Sequence, residues 1–368
     1  MLGLYIHFPF CLRKCGYCDF YSEEGRFDRI TAFLSALERE WNRYSQKPDT
    51  LGGVVDTVYF GGGTPSLLEP DQVGRVLEWI RPFVSKTGPP EITIEANPAT
   101  VSPPKLDGYL NAGINRISIG VQSFDNRFLE LLGRLHSAEE AEQTVRQARR
   151  AGFENISVDL IHAIPGQTPS DWKRTLEKAV SLSPDHLSAY TLSWSYSTPL
   201  GKKIESGLLP KPDDDTAAEM WLLSSDVLCR AGFEQYEISN FARPGKRSRH
   251  NESYWTGKPY LGLGPSAHSL IGNKRFWNVY DVERYIGMLA QNRLPIEDQE
   301  LLSPEDCKLE RLAVGLRRKE GISVTELAID VKKSSLLVAN GLAQLHRDML
   351  SLTTKGMLLA DEIAVGLV

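Results

Sequence analysis

The chain has 368 residues, 41% of them hydrophobic and 24% charged, with a net charge of −5. That length holds one large domain and a smaller one, in the composition of an ordinary globule. The acidic balance argues against nucleic acid as a partner, and no apolar run approaches the ~18 residues that read as a membrane span.

Leu2 to Phe8 is apolar, has no charged leader before it, and predicts a buried strand. Cys11-Leu12-Arg13-Lys14-Cys15-Gly16-Tyr17-Cys18 follows directly. Phe33, Leu34, Leu37 and Trp41 then recur at helical spacing. Thr57 to Phe60 is a short β-rich run ending at Gly61-Gly62-Gly63-Thr64-Pro65. Pro70 to Val84 predicts a helix, Glu91 to Ala96 a strand, and Pro103 to Ala112 a helix stopped by Gly113. Arg116 to Val121, Asn155 to Ile161 and His186 to Leu192 predict three more strands. Ser137 to Ala151 and Ser170 to Leu182 are the helices between them.

Six strand–loop–helix units of this kind, with short continuous apolar strands, argue for a parallel sheet covered by helices. Six units fall short of an eight-stranded barrel. Periodicity alone is compatible with an open, partial (β/α)6 barrel and with a doubly wound sheet. In either one, the cysteine loop, the Gly61–Pro65 turn, Glu95, Gln122 and Asp159 lie at the C-terminal ends of strands, where ligands bind.

Pro199 to Asp215 reads as an exposed connection and Thr216 to Ala231 as a helix. Ala242 to Ser269, rich in Gly, Pro, aromatics and His, reads as a long functional loop. From about Leu301 the pattern is mostly helical, with a turn at Gly321 and a short final hairpin, and it resembles a small winged-helix module. From Glu300 onward there are nine Lys and Arg against ten Asp and Glu, a net of −1, which argues against DNA. The expected organisation is residues 1–200 as the barrel, 201–299 as its extension and 300–368 as the C-terminal module.

Three thiols within eight residues suit a soft-metal site. On a cubane cluster they leave one of four irons free to take a small molecule through nitrogen and oxygen. A zinc site would need a fourth ligand, for which His7 is the candidate. A disulfide framework is disfavoured by the odd count of 5 cysteines and the missing export leader, which together point to the cytoplasm. Cys229 and Cys307, on apolar helical patterns, read as buried small hydrophobes.

The three-then-two spacing resembles the signature of radical S-adenosylmethionine (SAM) proteins, in which SAM chelates the free iron of a 4Fe-4S cluster. A SAM molecule needs particular neighbours. The edge Gly61 to Thr64 offers bare backbone to its ammonium, Glu95 and Gln122 suit the ribose diol, Arg134 the carboxylate, and Asp159 a further hydrogen bond. Singly, each also reads as a tight turn, a helix cap or a surface charge.

Tyr5-Ile6-His7-Phe8-Pro9-Phe10-Cys11, Phe60-Gly61-Gly62-Gly63-Thr64-Pro65, Glu95-Ala96-Asn97-Pro98, Gly120-Val121-Gln122-Ser123-Phe124 and Asp159-Leu160-Ile161 resemble the coproporphyrinogen-oxidase-like branch of that superfamily. The resemblance implies a partial TIM-type barrel with the cluster on Cys11, Cys15 and Cys18. It also implies SAM contacts at Tyr5, Gly62, Gly63, Thr64, Glu95, Gln122, Arg134 and Asp159. Within the branch, the oxidases carry one more cysteine where this chain has Phe20. His250-Asn251-Glu252-Ser253-Tyr254-Trp255 resembles instead the haem-binding motif of the HemW-type haem chaperones. That implies haem held through His250, with haem-accepting proteins as partners. Peripheral membrane contact stays open. His268 is a second candidate haem ligand, and His136 and His162 are rim histidines that suit SAM. The chain departs from the branch at Ser195 to Thr198 and at His162-Ala163, which leaves the substrate face open.

Overall fold

The computed structural model describes residues 1–46, 54–85 and 88–368. Six strands, β1 (Leu2–Phe8), β2 (Val55–Gly62), β3 (Glu91–Ala96), β4 (Arg116–Gln122), β5 (Ile156–His162) and β6 (His186–Thr191), pair in parallel in chain order. Helices cover one face. Leu4, Ile6, Phe8, Val58, Phe60, Ile94, Ile117, Ile119 and Val158 point into that helix-covered core. At ~25 cal/mol per Å² of apolar surface, this interface is the main source of stability. Several helices begin on polar caps: Ser137 accepts from Glu140 N and Thr168 from Asp171 N, each in a capping box.

The other face corrects one expectation. The strands are not uniformly apolar. Tyr5 and His7, Thr57 and Tyr59, Thr93 and Glu95, Arg116 and Ser118, Ser157 and Asp159, and His186 and Ser188 alternate with the core residues. They line the concave side and bond one another across strands, as Tyr59 does with Glu95 and Ser118 with Asp159. The period of two is the mark of a sheet with one polar face. A polar interior survives here because it is hydrogen-bonded and opens to a cavity.

The sheet is larger than six strands, and it stays open. β7 (Glu234–Gln235) and β8 (Asn240–Ala242) add antiparallel strands beyond β6. β9 (Tyr260–Leu263) lies parallel to β1 on its other side, Gly3 opposite Tyr260 and Ile6 opposite Leu263. β10 (His268–Ile271), β11 (Lys274–Asn278) and β12 (Ile296–Leu301) continue outward as antiparallel neighbours. The order is β12-β11-β10-β9-β1-β2-β3-β4-β5-β6-β8-β7. The stretch read as a long loop from Ala242 therefore holds a short helix, Arg249–Trp255, and a seventh parallel strand. Likewise Pro199 to Asp215 is not all connection, because Pro199–Glu205 is helical, capped by Thr198.

The helix Pro304–Gly315, β13 (Ile322–Ser323), the helix Val331–Ala339 and the hairpin of β14 (Ala343–His346) and β15 (Met349–Leu352) form the C-terminal part. Two short helices, Thr354–Met357 and Ala360–Leu367, close it. Leu312, Leu316, Ile322, Leu350, Leu352 and Ile363 make a core of their own, which Trp221 joins from the barrel side. Arg247 ties the two parts through Glu234 and Glu320, and Arg275 through Glu310. Cys229 is exposed, contrary to its reading as a core residue. It lies on the outer side of the helix Asp214–Arg230, whose inner side is Met220, Trp221, Ser224 and Leu228. Among the described residues, no helix is long and apolar enough to cross a membrane.

Candidate functional site

The chain leaves β1 at Phe8 and turns straight into the cysteine loop. Phe10–Cys11 pairs with Glu23–Glu24, Gly25 N donates to Cys11 O, and Gly16 N donates to Leu132 O at 3.0 Å. The loop is therefore pinned at its start, middle and return. All three thiols are free; Cys11 is buried, and Cys15 and Cys18 are half-buried. Thr64 Oγ1 lies 3.5 Å from Cys11 Sγ, and Arg134 Nη1 donates to Cys15 Sγ at 3.3 Å. Burial pushes the Cys18 thiol up to about 11. Metal binding would displace that proton, since the thiolate is the ligand.

His7 is not available as a fourth ligand. Its Nε2 donates to Tyr21 O at 2.9 Å, which leaves Nδ1 to accept from Tyr5 OH at 3.1 Å. Burial lowers its pKa to about 4. Among the described residues, no three His, Cys, Asp or Glu side chains converge on a point where one ion would sit. A cubane cluster asks for a wider spacing, because each thiolate binds a different iron.

The thiols open onto a cavity of about 400 Å³ at the C-terminal ends of the strands. Gly62, Gly63 and Thr64 line it at the end of β2, Glu95 at β3, Gln122 and Arg134 beyond β4, and Asp159 deeper on β5. Gly62 has φ +110°, and a Cβ there would strike the His7 ring at 2.7 Å. At Gly63 a Cβ would fall 2.6 Å from Phe10 O. Both positions need glycine, and the result is a bare backbone edge facing the thiols. Glu95 accepts from Tyr59 OH at 2.8 Å and from Gly62 N at 3.3 Å, while burial raises its pKa to about 7. Asp159 accepts from Ser118 at 2.9 Å and from Ser188 at 2.8 Å, and burial raises its pKa too. Gln122, in left-handed backbone at φ +66°, ends β4 where the register slips against β5.

Ten of the twelve site residues expected from the sequence thus share one cavity, and Tyr5 and His250 do not line it. Tyr5 stands behind, stacked on Tyr59 at 6.2 Å. His250 lies on the barrel floor, 1% exposed. Its Nδ1 is 2.8 Å from Thr57 Oγ1, its Nε2 is 2.8 Å from Tyr254 OH, and its ring stacks on Tyr59 at 4.9 Å. His136 is spent on Val121 O and Asn97, and His162 bonds Thr191 Oγ1; both are buried and lie outside the cavity wall. Sequence reasoning missed Arg116, Tyr59, Ser118 and Ser188, which also line the cavity. Arg116 is fully buried, and among the described residues its Nε has no hydrogen-bond partner. The signal for these residues was present as polar residues at every second position of apolar strands.

The model of the radical SAM superfamily matches residues 5–179. The heme chaperone HemW of Mycobacterium tuberculosis H37Rv is 37% identical over 98% of this chain and 93% of its own. The heme chaperone HemW of Bacillus subtilis 168 is 34% identical over 99% and 98%. The chain belongs to the HemW family of radical SAM proteins. A mitochondrial radical S-adenosyl methionine domain-containing protein 1 from Bos taurus is also 39% identical over 87% of this chain and 74% of its own. Among solved structures, the coproporphyrinogen III oxidase HemN from Escherichia coli, a radical SAM enzyme, superposes on this HemW-family chain with a TM-score of 0.84. That match has 26% identity and covers 100% of this chain and 89% of that one. The donor set fits what a radical SAM protein implies: three free thiols, a glycine edge without side chains, and a guanidinium and two carboxyl groups around one cavity.

Proposed function

We propose that this HemW-family protein is a cytoplasmic haem chaperone that carries a 4Fe-4S cluster and SAM, binds haem and passes it to acceptor proteins. The observation that carries the reading is the single cavity shared by Cys11, Cys15, Cys18 and the Gly62–Gly63 edge. The curated names of its full-length relatives add the haem. Cys11, Cys15 and Cys18 would hold the cluster. Gly62, Gly63 and Thr64 would receive the amino-acid end of SAM, with Arg134 as the cation for its carboxylate and Glu95 and Gln122 as acceptors for the ribose. When bound, such a cluster supplies an electron to the SAM sulfonium. The chain's own part is to orient. Arg134 is locked by Gly120 O at 2.7 Å, and Asp159 is held by its serines, so neither must reorganise when a ligand arrives.

Anaerobic reconstitution followed by haem titration, read by visible spectroscopy, tests the reading. The expected result is a stable haem complex that survives in a Cys11/Cys15/Cys18→Ala variant lacking iron and sulfide. No haem binding by the wild-type chain would sink the proposal. The likeness to HemN supports a second reading, decarboxylation of coproporphyrinogen III propionates. Phe20, at the position of the oxidases' extra thiol, weighs against it. Formation of protoporphyrinogen from coproporphyrinogen III by the reconstituted protein with SAM and an electron acceptor would reverse the ranking.

A further inference from the structure

We infer that His268, on an aromatic shelf beside the cavity mouth, is the side chain that ligates haem iron, and that His250 is not. The inference rests on the chaperone reading and deepens it. An axial histidine must present a ring nitrogen to an iron lying in the plane of a wide, flat porphyrin. His250 has no nitrogen to spare. Both are bonded at 2.8 Å inside the barrel, and its backbone N donates to Glu91 at 3.0 Å. Tyr59, Tyr5 and Tyr254 surround its ring at centroid distances of 4.9, 6.4 and 5.1 Å. A porphyrin could reach it only by displacing those rings and leaving buried hydroxyls unpaired, each costing ~1–3 kcal/mol.

His268 has the opposite setting. It opens β10 at the mouth end of the sheet and is exposed. Among the described residues its Nδ1 has no hydrogen-bond partner and its Nε2 has one, the exposed Tyr280 OH at 3.2 Å. Its ring stacks at 5.6 Å on Trp277, its cross-strand partner on β11. Tyr280 stands edge-on to Tyr21 at 6.4 Å. Phe20, the neighbour of Tyr21, is 67% exposed and lines the cavity beside Cys18. Aromatic rings therefore run from the hairpin toward the cluster loop, stacked at Trp277 and edge-on at Tyr280, with one accessible imidazole among them. Partial burial and the nearby Arg275 lower the His268 pKa, which keeps the imidazole in its ligating form. His268 is not among the described residues that line the thiol cavity, so a porphyrin on this imidazole would not need to enter it.

The experiment titrates hemin into the full-length reconstituted protein and reads the Soret and visible bands, with circular dichroism as the check on folding. His268→Ala is expected to lose the histidine-ligated spectrum and at least ~tenfold in affinity, about 1.4 kcal/mol. His268→Cys is expected to move the spectrum to the thiolate type, which a merely structural residue would not do. His250→Gln, which keeps polar groups for Thr57 and Tyr254, is expected to bind haem with the wild-type spectrum. An unchanged spectrum in His268→Ala overturns the assignment. So does loss of the histidine-ligated spectrum in a folded His250→Gln protein. If the wild-type chain binds no haem, the chaperone reading itself falls, which is a distinguishable result.

Discussion

Arg134 holds Gly120 O at 2.7 Å with one nitrogen and reaches Cys15 Sγ at 3.3 Å with another, while its Nε has no partner among the described residues. Burial works against its charge, yet Tyr17 and Cys15 beside it hold the guanidinium above its ordinary value. It is a fixed cation at the lip of the thiol site. A charge-assisted hydrogen bond is worth ~1.5–3 kcal/mol. Arg134→Met is therefore expected to weaken SAM binding by about ten- to a hundredfold, measured by calorimetry on the reconstituted protein. An unchanged affinity would remove Arg134 from the SAM site. Residues of this kind were legible because their chemistry restricts the choice. Only sulfur gives the cluster loop, and only glycine fits between His7 and Phe10 at the end of β2. Tyr59, Arg116, Ser118 and Ser188 were not legible. A serine inside an apolar strand says little until the face it occupies is known. His250 was legible as a motif, but neighbours in sequence do not reveal which ring nitrogens are already engaged.

The turn from Gly61 to Thr64 couples two elements. Gly63 N donates to Phe8 O at 2.7 Å and Thr64 N to Phe10 O at 2.8 Å, so the end of β2 is stitched to the segment that carries Cys11. Gly63→Ala puts a methyl 2.6 Å from Phe10 O and 2.9 Å from Phe8 O, and neither backbone oxygen can swing away. The expected outcome is a protein destabilised by ~1–3 kcal/mol whose cysteine loop takes up less iron. Thermal unfolding and iron content after reconstitution would check it. In the C-terminal part, Gly321 has φ +72°, and a Cβ there would lie 2.0 Å from Leu350 O. Gly321→Ala is expected to loosen that three-stranded sheet while leaving the barrel folded, seen as proteolytic cleavage confined to residues beyond about 300. Cleavage spread through both parts would mean that they fold as one unit. At this scale the six parallel strands were legible from their spacing. The seventh was not, because Tyr260–Leu263 is four residues long, contains Gly262, and sits in a Gly- and Pro-rich stretch that also reads as loop.

For the whole molecule, the polar barrel interior sets the response to pH. Five histidines are buried. His7, His136 and His162 are pushed by burial down to about 4, His250 to about 3, and His186 well below its ordinary value. A depressed folded pKa means stability that is present above the unfolded pKa of ~6.5 and lost as pH falls toward 4. Burial acts oppositely on the acids. Glu40, Glu95 and Glu237 rise to about 7, and Asp159 rises as well. Their contribution is complete below the unfolded carboxyl range and is lost as pH climbs toward 7. Between ~4.5 and ~6.5 the unfolded chain holds protons on the five histidines while the folded chain holds them on the three glutamates, with Asp159 acting in the same direction, so stability rises with pH, but shallowly. Past ~6.5 the histidine effect is spent and only the acids act, so stability falls until about pH 7 and then levels. Urea midpoints measured across pH 4.5 to 8 in reductant are expected to peak near pH 6.5. His162→Leu sharpens the test. Among the described residues the His162 ring has one hydrogen-bond partner, Thr191, and its Nδ1 has none, so the site tolerates an apolar side chain. Removing that histidine narrows the gap between the two sets, and the acid side of the curve is expected to flatten. A curve that keeps rising above pH 7 in both proteins would mean that the buried acids are already ionised in the folded state.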